Sequence, residues 1–236
     1  MTDCARAVAE FPEQPAMAPG SNFREAESAD TAVDDDLFRA VLAETVAALD
    51  SEGVPYVFMG GIGAATYGRP RWTHDVDVFV RPEDAGRALK SLAEAGFRTE
   101  QTHPDWLYKG FKHDVMVDVI FKSLGGILLD EEMLARAQVE EFQGHRLCIM
   151  APEDLLVIKA IVHDEHMPRH WHDALAIVSR CSLDWDYLVR RARRHGARRV
   201  LSLLLYAQSN DLVVPPGPIR ALFDAVFTEW PVKESA

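Results

Sequence analysis

The sequence predicts an α/β unit followed by a helical region, and three observations lead there. Residues 54–59 are a short apolar run that meets two consecutive glycines, and a second apolar run, residues 75–80, follows after a helix-sized segment. Residues 115–121 alternate in the way a strand does, with Val115, Val117 and Val119 on one side and Met116, Asp118 and Ile120 on the other. From Pro152 onward, apolar residues recur at helical spacing and no further strand-like run appears. Strands interleaved with helices and then helices alone read as a sheet-containing half and a helical half.

Taken in order, residues 1–33 are rich in Ala, Pro, Glu and Ser, with few bulky apolar groups. Such a segment cannot bury enough surface to offset chain entropy, so a disordered tail is expected. Asp34, Asp35 and Asp36 then stand where acids favour a helix start, and Gly53 stops that helix. Residues 54–59 form the first strand, 62–67 a short helix, and 75–80 the next strand. Pro82, Glu83 and Asp84 open a helix with Leu89, Leu92 and Ala93 on its inner face, ended by Gly96. Residues 97–100 and 106–111 read as strands, and Lys112, His113 and Asp114 turn the chain into the strand at 115–121. Residues 128–137 look helical, and 146–150 read as the last short strand. Helices are then expected at 155–162, 171–179, 185–195, 197–207 and 219–227, the first starting at Pro152 as first-turn prolines do. The domain reading is therefore a tail (1–33), an α/β domain (34–150) and a helical region (151–230).

Composition bounds the function. A chain of 236 residues with 48% hydrophobic and 26% charged residues has the make-up of an ordinary globular protein with a proper core. The net charge of -12 argues against broad binding to duplex DNA or acidic membranes, while leaving a local basic surface open. Cys4, Cys148 and Cys181 are few and scattered, which indicates neither a disulfide framework nor a cysteine zinc site. No apolar run is long enough to span a membrane, and the start M-T-D-C-A-R-A-V-A-E lacks a basic and then apolar leader, so a cytoplasmic protein is expected.

The chemistry concentrates between Met59 and Val80. Residues i and i+2 of a strand share a face, so Asp75 and Asp77 project side by side while Val76 and Val78 face a core. Two such carboxylates repel unless a proton or cation lies between them, and a hard divalent ion such as Mg2+, sharing a phosphate, answers that need. Gly60 and Gly61 let the backbone approach a phosphate closely, at a helix start whose free N–H groups attract anions.

With a glycine pair opening a helix, Asp-x-Asp on a strand and a further carboxylate, Asp118, in V-M-V-D-V-I-F, the chain resembles the nucleotidyltransferase superfamily with the polymerase-beta-like fold. The segment R-P-R-W-T-H-D-V-D, through Arg71, Thr73, Asp75 and Asp77, is most similar to the minimal nucleotidyltransferases and the abortive-infection toxin nucleotidyltransferases. The resemblance implies a mixed sheet flanked by helices, with Asp75, Asp77 and Asp118 as catalytic residues and ligands of two Mg2+ ions, Asp118 completing the second metal site and accepting the acceptor's proton. It implies an NTP as substrate, its phosphates cradled by Gly60 and Gly61 and positioned or neutralised by Arg71 and Thr73. Lys159, which composition alone would send to solvent as a snorkelling side chain, is implied to reach those phosphates, because relatives carry a lysine after a Pro-Glu-Asp-Leu lead. The following segment departs from the family's Arg-x-Lys-Asp-x-x-Asp: Arg169 stands for the lysine and Asp173 keeps the last acid, both implied to contact the nucleotide, while His170 replaces the first aspartate. The implied reaction moves an NMP onto an acceptor hydroxyl or phosphate of a tRNA, a small molecule such as an antibiotic, or a protein, and a toxin would have an antitoxin partner. A catalytically silent nucleotide-binding module acting through a partner protein is the alternative.

Other features stay open. His163, Asp164, Glu165, His166, His170, His172 and Asp173 read as a polar loop, a substrate contact or a separate metal site serving a phosphohydrolase. His163 and His166 would share a helical face, though Pro168 interrupts that helix. Arg190, Arg191, Arg193, Arg194, Arg198 and Arg199 are either a solvated helix face paired with acids or a guide for an RNA end or phosphorylated partner. Trp106 and Tyr108 line a pocket or belong to the core.

Overall fold

The computed structural model describes residues 35–68 and 73–228. The expected tail, Cys4 and Arg71 lie outside the described residues. Helix α1 (Asp35–Ser51) leads into strand β1 (Tyr56–Phe58), helix α2 (Gly60–Tyr67) and strand β2 (Asp75–Val80). Helix α3 (Ala85–Glu94) follows a 3-10 turn, and then come β3 (Arg98–His103), β4 (Leu107–Lys112), β5 (Val115–Ile120), α4 (Glu131–Arg136), β6 (Gln138–Phe142) and β7 (His145–Ile149). The chain from Pro152 is helical: α5 (Pro152–Val162), α6 (Arg169–Arg180), α7 (Trp185–His195), α8 (Ala197–Ser209) and α9 (Pro216–Thr228).

The strands form one mixed sheet in the order β3-β4-β5-β2-β1-β7-β6. The two strands that carry acids are parallel neighbours at its centre, with Asp77 paired to Asp118. On one sheet face Val76, Val78, Val115, Val117 and Val119 are completely buried, against α1 and α3. The opposite face carries the aspartates, with α2 packed against β2 and α5 packed against α2. Helix α5 is buried along Pro152–Ala160 because it runs through the middle of the molecule, and one apolar cluster extends from Phe38 to Val226 through both halves.

Each buried charge on α5 has a partner, as burial demands. Glu153 accepts from the Asp184 amide at 2.7 Å. Asp154 accepts from the Tyr187 hydroxyl at 2.7 Å and lies 2.8 Å from Arg191 Nε. Arg191 in turn holds Asp130, the residue that caps α4. The arginine block is thus partly structural: Arg191 is buried, and Arg190 pairs with Glu132 at 3.1 Å.

Several elements differ from expectation for local reasons. Strand β6 is polar and lies at the sheet edge, so it lacks the apolar alternation that marks a strand. Helix α4 is shorter than residues 128–137 because Asp130 starts it by accepting from the Met133 amide at 2.9 Å. Ala93 is exposed, and Ala85 and Ala88 join Leu89 and Leu92 on the inner face of α3.

Candidate active site

Register and backbone conformation assemble the site. Paired residues on adjacent strands project to the same face, so the Asp77–Asp118 pairing and the Asp75–Asp77 alternation put three carboxylates on one patch of sheet. Helix α2 starts directly above them. Gly60 has φ +56°, and a Cβ there would stand 1.7 Å from Asp77 Oδ2. No side chain fits at residue 60 while Asp77 points where it does. The Gly61 amide then donates to Asp77 Oδ2 at 3.3 Å.

Each aspartate is held by a different protein donor. The Thr73 hydroxyl donates to Asp75 Oδ1 at 2.6 Å, and Lys109 Nζ lies 2.7 Å from Asp118 Oδ1. Burial and the charges of Asp75 and Asp118 push Asp77 up to about 7, against the smaller opposing pulls of the Gly61 amide and Lys159. Burial also raises Asp118, and Lys109 works against that rise. The triad therefore carries like-charge repulsion that these donors relieve only in part.

A cleft of about 620 Å³ opens over the triad. Its floor holds Gly60, Gly61, Asp75, Asp77 and Asp118, and Leu155, Ile158, Lys159 and Val162 of α5 form one wall. Arg169 and His170 stand at the start of α6, while Asp105, Trp106, Lys122, Ser123 and Leu124, from the β3–β4 connection and the segment after β5, complete the lining. Lys159 does not snorkel. It is buried, with Nζ 2.8 Å from Asp173 Oδ2. Asp173 is fully enclosed and outside the cleft lining, so it supports Lys159 rather than facing the cleft as the resemblance implied. Trp106 takes the pocket alternative, with its ring stacked on His103 at 5.1 Å, and Tyr108 packs on Phe121 at 4.9 Å.

The histidine segment does not gather into a metal centre among the described residues. Helix α5 ends at Val162, so His163 and His166 share no helical face. His163 stacks on Trp171 at 4.6 Å, His166 and His172 are exposed, and His170 turns to the cleft. Burial, with the charges of Lys159 and Arg169, lowers His170 to about 4, so at neutral pH it is an uncharged imidazole. The aspartates are likewise no ready-made cage for an ion. Mg2+ seldom requires one, since it is ordinarily held by one or two carboxylates together with substrate phosphates and water. Asp75 and Asp77, on one face and mutually repelling, suit that mode.

Sequence reasoning did not single out Lys109, Asp105, Lys122 or Ser123. For Lys109 a signal existed: a two-residue turn at His113 and Asp114 fixes the β4–β5 register and sets Lys109 opposite Asp118.

Residues 6–209 match the family described as uncharacterised nucleotidyltransferase. Among solved structures, the chain is similar to the antibiotic-resistance factor ANT(2'')-Ia, at 16% identity and a TM-score of 0.47, over 73% of this chain and 91% of that one. It is similar to the lincosamide antibiotic adenylyltransferase LnuA, at 13% identity and 0.44, over 62% and 98%. A third similarity is to an antigenic nucleotidyltransferase-like protein from Paracoccidioides brasiliensis, at 16% identity and 0.43, over 83% and 99%. No curated protein matches the chain. The matched residues take in the glycine pair, all three aspartates and helices α5 to α8, and the chain belongs to the uncharacterised nucleotidyltransferase family.

Proposed function

We propose that the protein transfers a nucleoside monophosphate from an NTP to an acceptor hydroxyl or phosphate and releases pyrophosphate. The observation that carries this reading is the pairing of Asp77 with Asp118 beneath the Gly60 backbone, at the floor of a cleft walled by Lys159. Asp75 and Asp77 would hold Mg2+ together with the NTP phosphates, and Asp118 is the third carboxylate of the set. When bound, Mg2+ supplies charge neutralisation on the triphosphate and acidifies an attacking hydroxyl. Thr73 keeps Asp75 turned toward the cleft. Lys159 and Arg169 provide fixed positive charge for the phosphates, where preorganised charge is most effective. Asp173 contributes by holding Lys159.

In the transfer, the acceptor oxygen forms a bond to the α-phosphorus. The bond from that phosphorus to the bridging oxygen breaks, its electron pair leaves with pyrophosphate, and the acceptor's proton passes to a carboxylate. Residues 34–150 then serve as the nucleotidyltransferase domain, and residues 151–230 as the helical region that lends Lys159 and Arg169. The acceptor is a tRNA, a small molecule such as an antibiotic, or a protein hydroxyl. The toxin reading adds an antitoxin partner, and the setting is the cytoplasm.

The test is pyrophosphate release and label transfer from each alpha-labelled NTP with Mg2+, onto total tRNA, an aminoglycoside and lincosamide panel, or the protein itself. Label should move with the intact protein and not with Asp75→Asn. NTP binding with no transfer to any acceptor would favour the silent module.

A further inference from the structure

Lys109 is the charge at this site that the triad itself does not require. It sits on β4 directly opposite Asp118, with its ammonium 2.7 Å from Asp118 Oδ1 and 2.9 Å from Met116 Sδ. Both partners are largely buried, Lys109 with 18% and Asp118 with 14% of its side chain exposed. Asp118 lines the cleft and Lys109 does not. The lysine therefore stands behind the carboxylate and acts through it. Asp118 Oδ2 takes no hydrogen bond from the described residues, which leaves that oxygen to the cleft.

From this geometry we infer that Lys109 is a positioning residue that withholds Asp118 from metal binding, so that of the two roles the resemblance implies for Asp118 only that of proton acceptor remains. The inference rests on the nucleotidyl-transfer reading and divides the triad's work. Asp75 and Asp77, which have neutral donors in Thr73 and Gly61, hold the single divalent ion. Asp118, already paired with a cation, has less net charge to offer a second ion, because an ammonium within contact distance cancels much of its field. The charge-assisted bond also fixes the carboxylate's orientation. During transfer the hydroxyl proton moves to Asp118 Oδ2 as the new oxygen–phosphorus bond forms, pyrophosphate departs with the electron pair of the broken bond, and Lys109 stays an ammonium throughout.

The inference is tested by counting bound Mn2+ through the loss of the free-ion electron paramagnetic resonance signal. The titration is run first with Mn2+ alone and then with the α,β-methylene analogues of the four NTPs. Wild type and Asp118→Asn should each bind one ion, Asp77→Asn should bind none, and Lys109→Met should bind a second, weaker ion at the freed carboxylate. Lys109→Arg should keep the wild-type count, which separates loss of the cation from loss of the fold. Where transfer is measurable, Lys109→Met should lower kcat about tenfold or more, within the range of general-base effects, with the nucleotide KM unchanged. Two ions in the wild type, one of them lost in Asp118→Asn, would overturn the inference. So would no ion in any variant, or a Lys109→Met protein with the wild-type count. Failure of every NTP to yield pyrophosphate would remove the transfer reading instead, and the Mn2+ count would still judge Lys109.

Discussion

Gly60 and Asp77 occupy mutually exclusive space: a methyl group on residue 60 would overlap the Asp77 carboxylate, with Cβ 1.7 Å from Oδ2 and 2.4 Å from Cγ. The glycine makes room for the Asp77 carboxylate itself, besides any phosphate that approaches. Gly60→Ala must displace Asp77 or unwind the start of α2, and its φ of +56° adds backbone strain. Overpacking of this kind costs about 1–3 kcal/mol. The expected result is a folded, destabilised protein whose transfer rate falls about 100-fold or more, since small misplacements of reacting groups cost on that order. Denaturant unfolding and pyrophosphate release on the same sample measure both, and unchanged turnover would count against this placement of Asp77.

Asp77 also ties stability to pH. Its affinity for a proton is raised in the folded state, to about 7 against an ordinary 3.8. The folded protein thus holds this proton more tightly than the unfolded chain. That contribution is fully present below about pH 4 and is lost as pH rises through about 7. Asp154, raised to about 6 by burial, acts in the same direction, whereas His170, lowered to about 4, acts in the opposite one up to its ordinary 6.5, so the comparison with Asp77→Asn isolates the share due to Asp77. Between pH 5 and pH 8 the thermal midpoint of the metal-free wild type should fall relative to that of Asp77→Asn. Mg2+ should restore the loss at pH 8, by about 2.7 kcal/mol at a hundredfold excess over its Kd. Asp77→Asn should keep the fold and lose transfer. A midpoint difference between wild type and Asp77→Asn that does not change over this interval would contradict the assignment.

How far the site could be read in the sequence depends on the kind of pairing involved. Asp75 and Asp77 share a face by strand geometry alone, and the alternation at Val115–Ile120 places Asp118 on the face opposite the core valines. Lys109 follows from a tight turn, since His113 and Asp114, both at positive φ, leave only one register for β4 and β5. The alignment of Asp77 with Asp118 is different. It joins parallel strands separated by α3, β3 and β4, and nothing local sets that register. The enclosure of Asp173 is equally non-local, because it depends on α6 folding back against α5. Strand β6 carries two glutamates and a glutamine at a sheet edge, where solvent exposure removes the apolar signal.

Lys159 and Asp173 form a buried pair between α5 and α6, with 4% and none of their side chains exposed. Removing one member leaves the other charge desolvated, which costs about 3–5 kcal/mol, whereas replacing both by apolar groups is often neutral. Asp173→Asn and Lys159→Met should each destabilise strongly. The double variant Lys159→Met with Asp173→Leu should recover much of the stability and none of the transfer. Unfolding curves for the three variants, read as a double-mutant cycle, give the coupling. A double variant that regains transfer would show that Lys159 serves only the fold.

Trp106 offers a contact that can be removed without disturbing the core. It is 41% exposed, its ring lies nearly parallel to that of His103, and it lines the same cleft as Lys159. A flat apolar surface there suits a nucleobase or a ring of the acceptor, and such stacking is worth about 1–3 kcal/mol per base. Trp106→Ala should therefore change stability by no more than about 0.5 kcal/mol, as exposed substitutions do. One KM should rise tenfold or more while kcat changes little, and Trp106→Phe should restore much of it. If the nucleotide KM moves, the base lies on Trp106 and the acceptor enters beside Arg169 and His170; if the acceptor KM moves, the two are exchanged. Intrinsic fluorescence of the wild type, lost from the response in Trp106→Ala, reports the same contact without turnover. Two unmoved KM values and an unchanged fluorescence response would remove Trp106 from the site.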